Sequence, residues 1–193
     1  MPRVGVLAIQ GDFAAHTAAL REAGAEVCEV RKAADLRQVD GLVIPGGEST
    51  TLLKFILNPD LGYVEAFQAF HRAGKPMFGT CAGLILVAKD VTNPAQFSFG
   101  FIDVEVERNA YGRQKESFET VGEGYLEGTA KPLNMVFIRA PRITRLGTQV
   151  DRLATWQDEP VMARQGNILV ASFHPELTGD LTVHRYFLDM VKQ

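Results

Sequence analysis

The residues best suited to chemistry fall in three short segments. Cys81 lies in Gly79-Thr80-Cys81-Ala82-Gly83, with apolar Pro76-Met77-Phe78 before it and Leu84-Ile85-Leu86-Val87-Ala88 after it. That order predicts strand, sharp turn and helix, the cysteine form of a nucleophile elbow, in which small neighbours tolerate a strained turn that lifts the thiol above the strand end. The N–H groups and dipole at the start of the following helix favour a thiolate there. A cysteine attacking a carbonyl needs a base to take and return a proton, and that base needs an orienting group. His174-Pro175-Glu176 supplies both, directly after the apolar run from Ile168 to Phe173. On an extended segment, side chains two residues apart point the same way, so Glu176 is placed to orient the His174 imidazole. The third segment, Pro45-Gly46-Gly47-Glu48-Ser49-Thr50-Thr51, follows the strand-like Gly41 to Ile44. Its glycines let backbone N–H groups turn toward a ligand, and Ser49 or Thr50 is placed to cap a helix. The N–H groups of Gly47 and Ala82 are therefore candidate oxyanion donors.

Other reactive types read as structural. Cys28 sits inside the strand-like Glu26 to Val30, His16 in an amphipathic helix, His71 near a helix end and His184 on the apolar stripe of the last helix. No His/Cys/Asp/Glu set has metal-ligand spacing, so neither a metal nor another cofactor is expected. Gly122-Glu123-Gly124 opens like a dinucleotide fingerprint, but the next glycine, Gly128, falls one residue late and no helix follows.

The elements that must hold these residues are legible as apolar runs: Val4 to Ile9, Glu26 to Val30, Gly41 to Ile44, Pro76 to Thr80, Phe101 to Val106, Met135 to Ile138 and Ile168 to Phe173. Helical spacing marks Asp12 to Ala23, Thr50 to Leu57, Val64 to Arg72 and Leu181 to Val191. Strand and helix alternate as far as Ala88, which predicts an α/β fold: a three-layer, mostly parallel central sheet with helices on both faces and ligands at the carboxyl ends of its strands. After Asn93, turn-separated strands suggest an antiparallel extension. The polar stretch Asn109 to Ser117 is an exposed loop or part of a binding surface. With 193 residues, one domain spanning residues 1–193 is expected. Twenty-three acidic against 20 basic side chains, with no cationic run, speak against a nucleic-acid or anionic-membrane partner. No apolar run reaches a bilayer-spanning length and no signal peptide is evident, so the expected location is cytoplasmic.

The three segments resemble the triad-type, class I glutamine amidotransferases. Within that family, Leu7-Ala8-Ile9-Gln10-Gly11-Asp12, the stretch Val106-Glu107-Arg108-Asn109-Ala110-Tyr111-Gly112-Arg113-Gln114 and Phe137-Ile138-Arg139-Ala140-Pro141 look like the glutaminase subunits of pyridoxal 5'-phosphate synthase. The likeness runs from Val4 to Val191. It implies a flavodoxin-like class I amidotransferase fold and hydrolysis of L-glutamine to glutamate and ammonia. The ammonia would pass to a separate synthase (lyase) subunit in a hetero-oligomer. It further implies Cys81 as nucleophile, His174 as base and acid, and Glu176 as orienter. Gly47, Glu48, Ser49, Arg108, Ile138 and Arg139 match glutamine-binding positions, and Gln10 matches a position involved in activation by the partner. Asp12 to Ala15 and the insertion-like Leu57 to Gly62 depart from the pattern and bear on docking. Two other readings of the same residues stay open: a glutaminase serving a different amidotransferase, or a non-catalytic or redox-sensing relative.

Overall fold

A computed structural model describes residues 2–110, 117–126 and 128–193. The first half alternates as the apolar runs predict: β1 (Arg3–Leu7), α1 (Phe13–Glu22), β2 (Glu26–Val30), β3 (Gly41–Ile44), α2 (Ser49–Ile56), α3 (Tyr63–Arg72), β4 (Met77–Thr80), α4 (Ala82–Val87) and β5 (Ala88–Thr92). It continues with β6 (Ile102–Glu107), β7 (Ser117–Leu126), β8 (Thr129–Ile138), β9 (Arg142–Leu146), β10 (Asp151–Trp156), β11 (Glu159–Gln165), β12 (Ile168–Ala171) and α5 (Thr182–Val191). The larger sheet has the order β2-β1-β3-β4-β12-β11-β10-β7-β8. Its first five strands are parallel, and from β12 to β8 every pairing is antiparallel. A small second sheet, β5-β6-β9, lies beside it.

Strand alternation explains the three layers. Leu42, Ile44, Met77, Ile168 and Val170 pack on one side of the sheet with Leu52, Ile56, Phe67 and Leu84 of α2, α3 and α4. Their sequence neighbours Val43, Phe78, Leu169 and Ala171 pack on the other side with Leu20 of α1 and Phe187 and Leu188 of α5. Strands buried on both faces need apolar residues at every position, which is why they stand out as continuous runs. The parallel block also brings the carboxyl ends of β1, β3, β4 and β12 side by side; the last three carry the three chemical segments, and β1 leads into the segment holding Gln10.

The antiparallel half departs from the sequence expectation in detail. The ten-residue strands β7 and β8 form a hairpin, yet only Met135 to Ile138 stands out as apolar, because most of the hairpin is solvent-facing on at least one side. Ala88, expected in the helix, begins β5 instead. The insertion-like segment around Asn58 forms a 3-10 turn, Pro59–Leu61, closed by Gly62 at φ 67°. Part of the Asn109 to Ser117 stretch, and Tyr111 to Gln114 of the family-like motif, lie outside the described residues.

Candidate active site

Cys81 joins β4 to α4 at φ 49°, ψ −104°, a conformation that costs a non-glycine residue energy and persists only where its surroundings enforce it. Those surroundings are crowded backbone. A Cβ on Gly83 would stand 2.1 Å from the Ile44 carbonyl oxygen, and one on Gly79 would stand 2.6 Å from the Gly83 carbonyl. The two glycines of the elbow are thus needed so that β3, β4 and α4 can approach one another. Cys81 N–H is anchored to Ala171 O on β12 at 2.9 Å, which fixes the thiol at the strand ends.

His174 follows β12, and its N–H donates to Val136 O at 2.7 Å. Its Nδ1 is 2.7 Å from Glu176 Oε1, with both side chains shielded from solvent. The pairing arises differently from the sequence expectation. Pro175–Leu177 is a 3-10 turn and not an extended segment, so the carboxylate reaches the imidazole by curling back. Burial by itself disfavours the imidazolium, but hydrogen bonding to the Cys81 sulfur and to Glu176 outweighs it and raises the His174 pKa to about 10. Gly46 makes this proximity possible: a Cβ there would lie 2.5 Å from His174 Cε1 and 3.1 Å from Cys81 Cβ.

The Pro45 to Thr51 loop is built as expected in outline and corrected in one detail. The cap of α2 is Glu48, not Ser49 or Thr50. Its carboxylate accepts from Thr50 N–H at 2.9 Å and Thr51 N–H at 2.7 Å. Those backbone bonds hold the Glu48 pKa at about 2. Gly47 has φ 149°, and the Gln10 side chain lies so close that a Cβ on Gly47 would sit 2.3 Å from its Oε1. The same oxygen accepts from Glu48 N–H at 3.0 Å, so the loop after β1 braces the glycine loop after β3.

These pieces surround one cavity of about 440 Å³, lined by Asp12, Gly47, Glu48, Ser49, Cys81, Ile85, Arg108, Asn109, Ile138, Arg139 and His174. All six positions that the resemblance assigns to glutamine border it. Arg108 donates through Nη2 to Ser49 Oγ at 2.9 Å, and Arg139 is held at φ 42° at the end of β8. A cationic wall, an anionic Glu48 and a thiol beside an imidazole make a site fitted to a zwitterionic amino acid with a reactive carbonyl.

Sequence reasoning missed Asp12, whose Oδ2 is 3.6 Å from His174 Nδ1, and it took His16 as purely structural. His16 Nε2 lies 3.2 Å from Glu176 Oε2. Asp12, which precedes α1, and His16, in its first turn, are four residues apart and both turn toward the site, a spacing visible in sequence but without a partner to give it meaning. Tertiary structure also gathers a ligand-type group that spacing did not show, since Asp12, His174 and Glu176 offer three donor atoms within 4.8 Å. Two of those atoms already hydrogen-bond each other, which suits a proton relay. Cys28 is half-buried in β2, and burial raises its thiol pKa. His71 stacks on Phe101 at 4.1 Å.

Comparison with known proteins matches residues 6–193 to the model of the SNO glutamine amidotransferase family. The chain is 51% identical over 191 residues to the pyridoxal 5'-phosphate synthase subunit PdxT of Thermosipho africanus, covering 99% of this chain and all of that protein. It is 54% identical to the protein of that name from Solibacter usitatus, covering 97% and 98% of the two chains. A crystal structure of a glutamine amidotransferase superposes with a TM-score of 0.89 at 47% identity, covering 98% of this chain and 99% of that one.

Proposed function

The chain belongs to the SNO glutamine amidotransferase family, and from that membership we propose that it hydrolyses L-glutamine to L-glutamate and ammonia for pyridoxal 5'-phosphate synthesis. The observation that carries this reading is the meeting of Cys81 and His174 at the cavity bordered by Glu48, Ser49, Arg108 and Arg139, with Glu176 hydrogen-bonded behind the imidazole. Residues 1–193 act as one glutaminase domain, and a separate synthase subunit receives the ammonia in a hetero-oligomer.

The reaction follows from the charges. The Cys81 thiolate adds to the side-chain amide carbon of glutamine, and the carbonyl oxygen takes the displaced electron pair against the N–H groups of Gly47 and Ala82. His174, kept protonated by its neighbours, gives its proton to the departing nitrogen, so ammonia leaves and a thioester remains. The now neutral imidazole takes a proton from water as the water oxygen attacks the thioester; the adduct then expels Cys81 as a thiolate, which restores the thiolate–imidazolium pair, and the new carboxyl group loses its proton to solvent. Arg108 and Arg139 suit the substrate carboxylate, and Glu48 suits its ammonium. Gln10, braced against Gly47 and Glu48, lies where docking of the synthase subunit would settle the oxyanion donors. No helix among the described residues is long and apolar enough to cross a membrane. Two unpaired cysteines, Cys28 and Cys81, fit the reducing cytoplasm.

The test measures glutamate release by the purified chain, alone and mixed with the synthase subunit of its own organism, with Cys81→Ala as control. Release that depends on Cys81 and rises on mixing supports the proposal. Release indifferent to the synthase subunit would point to another amidotransferase, and none in either condition to a non-catalytic relative.

A further inference from the structure

His16 lies outside the motifs that first pointed to chemistry, yet its ring is wedged behind the orienting carboxylate. It is fully buried on α1, as is His184 on α5. His16 Nδ1 is 3.0 Å from His184 Nε2, and His16 Nε2 is 3.0 Å from Thr80 Oγ1 and 3.2 Å from Glu176 Oε2. Glu176 Oε1 is engaged by His174 Nδ1 at 2.7 Å, whereas Oε2 has no aligned hydrogen bond among the described residues. A buried carboxylate oxygen facing an imidazole lone pair at that range would be strongly repelled. The His16 proton therefore sits on Nε2, hydrogen-bonded to the Thr80 hydroxyl oxygen and at charge–dipole range of Oε2, and Nδ1 accepts from His184 Nε2–H. Burial, then the charges His184 and His174 would carry, holds the His16 pKa well below the usual histidine range. Burial likewise lowers that of His184 to about 4. Both rings are neutral at pH 7, each with one donor and one acceptor. The titratable groups facing His16 are Glu176, His174 and His184, with Asp180 beyond His184.

We propose that His16 is a positioning residue for the reaction: its Nε2–H fixes the Glu176 carboxylate and, through it, the His174 imidazole, while His184 fixes the His16 tautomer. This rests on the triad reading above. The same ring touches Thr80, whose Oγ1 accepts from Gly46 N–H at 3.1 Å, so one side chain braces both the carboxylate and the glycine loop.

The test compares two amides of different reach, with glutamate release measured in the presence of the synthase subunit. H16Q places its amide nitrogen at the position of Nε2 and is expected to keep kcat within about threefold of the parent. H16N reaches only the Nδ1 position and is expected to lose about ten- to a hundredfold in kcat, with KM nearly unchanged. In a Cys28→Ser background, the pH dependence of Cys81 alkylation by iodoacetamide reports the imidazole's hold on the thiolate. For H16N its midpoint is expected to move to higher pH. His184→Met, which leaves His16 in place but removes the donor to Nδ1, is expected to lower kcat in the same sense and serves if H16N does not fold. Parental kcat and an unshifted alkylation profile in either of these variants would overturn the proposal. So would an equal fall in H16Q and H16N with that profile unshifted. Glutamate release surviving in Cys81→Ala would instead remove the triad reading beneath it.

Discussion

Replacing Gly46 by alanine inserts one methyl group between the proposed nucleophile and its base. The new Cβ would stand 2.5 Å from His174 Cε1, where ordinary contact begins at 3.4 Å, so something must yield by about 0.9 Å. The loop cannot retreat freely. Gly46 N–H is bonded to Thr80 Oγ1 at 3.1 Å, and Gly46 O accepts from Asp12 N–H at 3.3 Å. The imidazole is the group with room to turn, and turning it pulls Nδ1 off Glu176 and the ring off the Cys81 sulfur. A displacement near 1 Å costs about 10² in rate, or about 2.7 kcal/mol of transition-state stabilisation. Losing the buried His174–Glu176 bond adds about 1–3 kcal/mol to the stability cost. The assay is steady-state glutamate release with the synthase subunit present, alongside thermal unfolding. Gly46→Ala is expected to show kcat down about a hundredfold, KM changed by less than about threefold, and a melting temperature lower by several degrees. A folded variant with kcat within threefold of the parent would refute the packing argument, since the loop would then have moved instead of the ring.

Glu176→Gln is expected to lower kcat by about 10⁴ with little change in KM, because an amide neither fixes the His174 tautomer nor stabilises its charge; kinetics against the parent check this. Arg108→Met removes a cationic partner worth about 1.5–3 kcal/mol, so kcat/KM for glutamine should fall about ten- to a hundredfold, mainly through KM. Gln10→Ala leaves Glu48 N–H without its 3.0 Å partner, and the rate gained on adding the synthase subunit should drop about tenfold. His184, with a folded pKa near 4 against 6.5 unfolded, gives an acid-side stability loss. Above pH 6.5 both states are neutral there, and below it the unfolded chain takes up the proton first. Stability should fall by about 3 kcal/mol between pH 6.5 and 4 from this residue alone, measured by urea unfolding and diminished in His184→Met.

Where one short segment dictates its own backbone, the sequence was enough. Gly79 and Gly83 around Cys81 announce the elbow because the steric demand that excludes a Cβ acts within a few residues. The runs Gly41 to Ile44 and Ile168 to Ala171 announce central parallel strands because burial on both faces permits no polar position. Local reasoning still failed where two local solutions compete. Glu48 takes the helix cap because its carboxylate spans the N–H groups of Thr50 and Thr51 while Ser49 Oγ is engaged by Arg108, and His174-Pro175-Glu176 curls into a 3-10 turn while keeping the expected pairing. The hairpin of β7 and β8 stayed hidden because its half-exposed strands carry no continuous apolar signal.

The sequence alone therefore determined which residue types stand at the ends of β3, β4 and β12, and the positions that the resemblance assigns to glutamine border the same cavity. Tertiary structure decided what those residues touch. Asp12 and His16 meet His174 and Glu176 across a separation of about 160 positions, because α1 and the turn after β12 pack on the same side of the sheet. No periodicity in either segment encodes that meeting. The polar network behind the thiol exists only where burial strips water from His16, His184 and Glu176 and leaves them one another as partners.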